Sequence, residues 1–193
     1  MHPAFGHDRY LLKRQVLALT GKFRIYAPDG TLVLFSQQKM FRLREDIRVY
    51  AEESRSLELL WIQARQILDF SAAYDVIDST TGVKVGSVRR RGFRSMVRDA
   101  WELLDPVDQV IGVVEEDSLA LGLLRRLLLG SLLPQNYDAR IGSSRVADLR
   151  QRFHLFRYEL DVDFTYDTSR QLDRRLGLAT AILLAAIEGR QSG

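Results

Sequence analysis

Residues 176–187 read LGLATAILLAAI, twelve uncharged and mostly aliphatic residues in a row near the end of a 193-residue chain. The stretch has no polar face. A helix that is apolar on every side has to be buried all round, in a bilayer or inside a protein. Twelve residues at the helical rise reach roughly 18 Å, well short of the roughly 30 Å of hydrocarbon in a membrane. Length therefore favours burial inside the fold. Gly177, Ala179, Ala181, Ala185 and Ala186 keep such a helix thin. Asp173 ahead of it supplies an N-cap acceptor, and Gly189 behind it suits a C-terminal stop.

What surrounds this helix follows from the preceding residues. Phe23/Ile25, Ile47/Val49, Tyr74/Val76 and Trp101/Leu103 are apolar residues two apart, at offsets of 24, 27 and 27 positions. Each pair runs into a turn: PDG at 28–30, AEES at 51–54, DSTTG at 78–82 and DPVD at 105–108. Gly, Pro, Asp and Ser provide the backbone angles and local hydrogen bonds such turns need. A second β-rich run follows each turn: TLVLFSQQ, LELLWIQA, VKVGSVRR and VIGVVEE. The pattern is a meander of hairpins whose period-two alternation faces one core.

Beyond the repeat, residues 118–133 (SLALGLLRRLLLGSLL) read as a helix with Ser118 as N-cap and Pro134 as its end. NYDARI and SRVADLRQ read as shorter strands. Phe156, Tyr158, Leu160, Val162 and Phe164 then alternate with Arg157, Glu159, Asp161 and Asp163, giving a strand with one dry face and one wet face. The count is about twelve strands. An antiparallel sheet of that size curls or closes to remove its exposed edges, and a closed barrel wider than about eight strands needs something inside it. The sequence thus predicts a mainly β fold, an antiparallel barrel of about twelve strands enclosing the C-terminal helix. It predicts a single domain over residues 1–193, with a core at about 10–188 and flexible ends at 1–9 and 189–193.

The chain resembles the tubby C-terminal-like superfamily, and within it the LURP-one-related and phospholipid-scramblase-like branch. The resemblance runs from about Tyr10 to Glu188. It rests on YAPDGTLV, YDVIDSTTGVKVGSV, WELLDPVDQVIGVV, LRQRF and the closing LDRRLGLATAILLAAIEG, and on the order of these elements. It implies a twelve-stranded barrel around a hydrophobic C-terminal helix. Tubby domains bind membrane phosphoinositides and have been linked to transcription. Scramblase-like members are associated with membranes and calcium-dependent lipid movement. Many LURP-one-related proteins have no defined activity, and fold alone carries little about function.

Composition narrows the chemistry. With 46% hydrophobic and 27% charged residues the chain is globular in type, and without cysteine it can form neither disulfides nor thiolate metal sites. The N-terminal MHPAFGHDRY lacks the apolar core of a signal peptide, so a cytoplasmic location is expected, with room for a peripheral membrane association. The net charge of +3 permits an anionic partner without demanding one, and 24 of the 28 basic residues are arginine. His2, His7 and His154 are isolated, no nucleophile elbow is present, and GVKVGS at 82–87 is a hairpin segment without the features of a phosphate loop. These features predict a non-enzymatic protein with no cofactor.

Three groups of residues remain as candidates. Arg89, Arg90, Arg91 and Arg94 (RRRGFR at 89–94), with Phe93 among them and Arg98 behind, suit an anionic lipid surface or a phosphoinositide-like headgroup. Nucleic-acid backbone is a less favoured use of the same chemistry. A solvated charged turn would look alike in sequence. Arg125 and Arg126 form one polar stripe on the leucine-rich segment 118–133, which fits a helix packed on the barrel, a protein partner or a second copy in preference to an interfacial membrane helix. Asp161, Asp163, Thr165, Asp167 and Ser169 follow the spacing of a calcium loop. Tyr166 and Leu172 occupy the positions where glycine and glutamate are needed, so the calcium reading is weak and no metal site is expected. The leading expectation is a binding module for anionic headgroups through the arginine-rich loop. The alternatives are a scramblase-like lipid-moving protein and a regulatory or interaction domain using residues 118–133.

Overall fold

The computed structural model describes residues 1–15, 20–39, 46–65, 72–91, 100–117, 135–152 and 157–188. They form a closed antiparallel barrel of twelve strands with one α-helix at the C-terminal end. The strands are β1 (Arg9–Gln15), β2 (Thr20–Tyr26), β3 (Leu32–Lys39), β4 (Asp46–Tyr50), β5 (Glu58–Ala64) and β6 (Ala73–Asp78). They continue with β7 (Val83–Arg90), β8 (Ala100–Leu104), β9 (Val110–Glu116), β10 (Asn136–Ile141), β11 (Ser144–Arg152) and β12 (Arg157–Asp163). Each pairs with its neighbours in the chain, and β1 meets β12 from Arg9↔Asp163 to Gln15↔Arg157 to close the ring. The hairpin repeat is legible in the sequence, whereas β1 is not marked by it; its alternation, Arg9-Tyr10-Leu11-Leu12-Lys13-Arg14, is masked by charges on both faces.

Period-two alternation sorts side chains to the two sides of the wall. Phe23, Ile25, Ile47, Val49, Tyr74, Val76, Trp101 and Leu103, the paired positions of the repeat, are all buried in one core. The outer wall carries ion pairs instead, among them Arg24 with Glu53, Arg48 with Glu58, and Arg152 with Asp161. A transmembrane barrel has the opposite arrangement, an apolar outer band around a polar interior. Among the described residues no helix is long and apolar enough to cross a membrane.

The helix α1 (Arg174–Glu188) fills the barrel. Leu176, Leu178, Ala179, Ala181, Ile182, Leu183, Leu184, Ala185 and Ala186 are all no more than 2% exposed, so the apolar run is a core plug. The fit depends on two glycines. A Cβ on Gly86 of β7 would lie 2.4 Å from the Leu104 carbonyl oxygen and 3.1 Å from Leu176 of the helix. One on Gly177 would lie 2.6 Å from the Phe164 ring.

Polar groups hold both ends of the helix. Asp173 caps the start by accepting from the Arg175 N–H at 2.9 Å, which also places a carboxylate at the positive end of the helix dipole. Arg174 is buried and bonded to Asp167 at 2.8 Å and to Asp8 at 3.1 Å, while Arg175 reaches Asp78 at 2.6 Å. At the other end Arg14, on the inner face of β1, donates to the Ala185 carbonyl at 2.8 Å. That carbonyl is among the last four of the helix, which lack intrahelical donors.

Residues 1–9 differ from the expected flexible end. Residues Pro3–Phe5 form a 3-10 turn, Phe5 is 1% exposed within the core cluster, and Tyr10 donates from its hydroxyl to the Ala4 carbonyl at 3.0 Å. A buried aromatic four residues from the chain start anchors the segment where polarity alone suggested fraying. Residues 189–193, including the expected C-terminal stop at Gly189, lie outside the described residues.

Candidate functional site

The hairpin of β7 and β8 pairs Arg89 with Glu102 and Arg90 with Trp101, and the Arg91 N–H continues the ladder by donating to the Ala100 carbonyl at 2.9 Å. Alternation then divides the three arginines. Arg89 and Arg91 share the outer face with Glu102 between them, and Arg90 turns to the other side, its guanidinium 5.8 Å from the Trp101 ring centre. Arg89 donates to Glu102 through Nε at 2.8 Å and Nη2 at 2.6 Å, and Arg91 through Nε at 3.0 Å. A longer contact of 3.7 Å links Arg91 to Glu115 on β9.

Burial alone would raise the Glu102 carboxyl, but the hydrogen bonds and charges of Arg89 and Arg91 hold it below the usual carboxylate range. Glu102 therefore stays ionised and acts as a clamp that sets two guanidinium groups side by side. The arginine side chains remain 41% and 46% exposed, so their outer edges face solvent. The price of the clamp is charge: on this face Arg89 and Arg91 stand against Glu102 and Glu115, two cations against two anions. Sequence alone shows the cluster of cations but not the carboxylate from the next strand that organises it.

Arg94 lies outside the described residues, as do residues 118–133 with Arg125 and Arg126, and His154. The calcium candidates do not converge. Asp161 is taken up by Arg152 at 2.6 and 2.7 Å, and Asp163 by Arg9 at 3.0 Å and by the N–H and hydroxyl of Thr165. Asp167 is buried beneath the chain, accepting from Arg174 and from the N–H groups of Gln171 and Leu172. Among the described residues no three His, Asp or Glu side chains gather in a way that could hold a metal ion. Asp161 and Asp163, two apart on β12, lie along one face of the wall, whereas Asp167 falls beyond the strand with its side chain enclosed.

A second polar cluster was not foreseen from sequence. Arg65 forks onto Asp75, and Asp75 also receives Ser87 at 2.8 Å and Lys84 at 3.1 Å. Asp108, from the turn between β8 and β9, folds over the group to contact Arg65 and meets Lys84 at 2.6 Å. Hydrogen bonds from Arg65 and Lys84 hold the Asp108 carboxyl well below the usual range. Two cations against two anions leave it neutral, so it works as a brace that ties the turn to the wall. Its members are separated by up to 43 positions, and only strand register brings them together.

No family model and no curated protein matches the chain.

Proposed function

We propose that the protein is a non-enzymatic binding module of the tubby-like, LURP-one-related type, which engages anionic phospholipid headgroups or similar phosphate groups through the arginines that end β7. The order of elements supports the type: a closed twelve-strand barrel around a C-terminal apolar helix is the architecture the resemblance implies. Because α1 occupies the interior, a ligand has to be met on the outside of the wall or at its ends. The observation that carries the reading is the Arg89–Glu102–Arg91 clamp, two half-exposed guanidiniums held in register on one face. Paired planar forks of this kind match the oxygens of a phosphate better than mobile lysines do.

Flotation with liposomes tests it. The protein should float with vesicles containing phosphatidylserine or phosphoinositide and not with neutral phosphatidylcholine vesicles. Arg89/Arg90/Arg91→Ala should lose most of that difference. Equal and negligible flotation of wild type and variant with both kinds of vesicle would end the proposal.

A further inference from the structure

We propose that a separate ligand site lies on the outer wall across β2, β1, β12 and β11, and that it takes a small amphiphilic anion: one carboxylate, sulfate or phosphate on a compact apolar body. The wall is hollowed there into an open cleft of about 430 Å³, within the usual range for small-molecule sites. Its shelf is apolar. Leu11 and Tyr26 are direct cross-strand partners, and Pro28 from the turn after β2 continues the surface. Around the shelf stand Arg9, Lys13 and Arg152, with Asp161 as the one carboxylate in the lining, so the polar groups that face the cleft are mostly cationic although each cation has a carboxylate beside it.

The three cations keep donors for a ligand. Arg9 reaches Asp163 through Nε at 3.0 Å, and its side chain is 65% exposed. Arg152 grips Asp161 with Nε and Nη2, which directs Nη1 away from that fork. The Lys13 ammonium stands 3.9 Å from Glu159, beyond hydrogen-bond length, and 5.4 Å from the centre of the Tyr26 ring. Asp163 and Glu159, the cross-strand partners of Arg9 and Lys13, stand beside them on the same wall and outside the lining of the cleft. An anion placed between these cations has its body directed onto Leu11, Tyr26 and Pro28. Bare phosphate would gain only the charged half of the site, and a neutral apolar molecule only the other half.

Titration of the isotopically labelled full-length protein, followed by amide chemical shifts, tests this with three probes: phenyl phosphate, decanoate below its micelle concentration, and inorganic phosphate. Saturable shifts at Leu11, Lys13 and Tyr26 are expected from at least one organic anion. That anion should bind at least tenfold more tightly than inorganic phosphate. A preference for decanoate points to a lipid-derived ligand, and one for phenyl phosphate to a soluble aromatic phosphate. Arg9→Glu and Lys13→Glu, on the exposed wall, should each weaken binding about tenfold with the spectrum otherwise preserved, and Tyr26→Ala should abolish the advantage of the organic anions. Arg89/Arg90/Arg91→Ala should leave these shifts unchanged, which separates this site from the headgroup site. Absence of shifts at the cleft, equal affinity for inorganic phosphate, or indifference to the cleft substitutions would overturn the inference and leave the headgroup reading untouched.

Discussion

Gly86 shows how much one missing methyl group decides. Its would-be Cβ falls 2.4 Å from a backbone oxygen of β8, which cannot swing aside as a side chain could. Gly86→Ala must therefore push β7 off β8 or off the helix, and overpacking of this kind costs about 1–3 kcal/mol. Urea denaturation should show the midpoint falling with little change in slope. Glu102 is the second single position with a measurable consequence. Removing its charge frees two guanidiniums from a fixed anion, and a unit of charge near an anionic membrane is worth roughly 1 kcal/mol. Glu102→Gln should therefore bind phosphatidylserine vesicles roughly fivefold more tightly at low salt, an increase that disappears when salt screens the surface. An unchanged or weaker affinity would show that the carboxylate helps to present the arginines more than it neutralises them. Arginines 89–91 stand together in the sequence, but their division between two faces and their shared carboxylate come from strand pairing.

Elements are joined by the polar groups at the ends of α1. Asp167 and Arg174 are both almost wholly enclosed, at 0% and 3% side-chain exposure. Burial would raise the Asp167 carboxyl, but the Leu172 N–H, Arg174 and the Gln171 N–H together hold it below the ordinary range; at Asp78, burial is similarly outweighed by Thr80 and Arg175. A carboxyl whose folded-state pKa is lowered stabilises the fold fully above its unfolded value of about 3.9 and loses that contribution as pH falls through the folded value. Thermal unfolding should thus be flat from neutral pH to about 5 and drop steeply below about 4. Asp167→Asn leaves the buried Arg174 guanidinium with Asp8 as its remaining carboxylate among the described residues, beside the Leu172 carbonyl. It should cost about 3 kcal/mol at pH 7, toward the lower end for a broken buried pair, and should reduce the acid-side dependence.

The N-terminal segment responds at the alkaline end. Burial pushes the Tyr10 phenol up to about 12, against a smaller opposing effect of the His7 N–H that donates to it. Here the folded pKa lies above the unfolded value of about 10, so the contribution is complete below pH 10 and is lost as pH rises through about 12. Absorbance at 295 nm should show Tyr10 ionising late, and Tyr10→Phe should lower the late amplitude by one tyrosine. A titration in which Tyr10 ionises with the exposed tyrosines would show that the segment is not packed on the barrel.

At the scale of the whole molecule, the barrel and its plug are one cooperative unit. Leu176, Leu178, Ile182, Leu183 and Leu184 are completely or almost completely buried. At about 2 kcal/mol each, their burial contributes roughly 10 kcal/mol, comparable with the roughly 5–15 kcal/mol of net stability of a typical domain. Truncation before Arg174 should therefore yield an aggregated chain without a cooperative unfolding transition. A monodisperse, folded truncation product would refute the role of the helix as core.

The sequence by itself determined the hairpin series, the strand with alternating wet and dry faces, and the buried nature of residues 176–187. Those depend on local signals: period-two alternation, turn residues, and an apolar run too short for a bilayer. It also carried the inference of a closed wall, because twelve strands and a helix without a polar face leave few other arrangements. Only the tertiary structure decided how β1 closes the ring, how Phe5 anchors the chain start, and which carboxylate meets which arginine. Arg174 and Asp8 are 166 positions apart, Arg175 and Asp78 are 97 apart, and the cleft joins Arg9 to Arg152. A side chain's partner across a barrel is set by register and closure, and neither is written into the residues immediately around it.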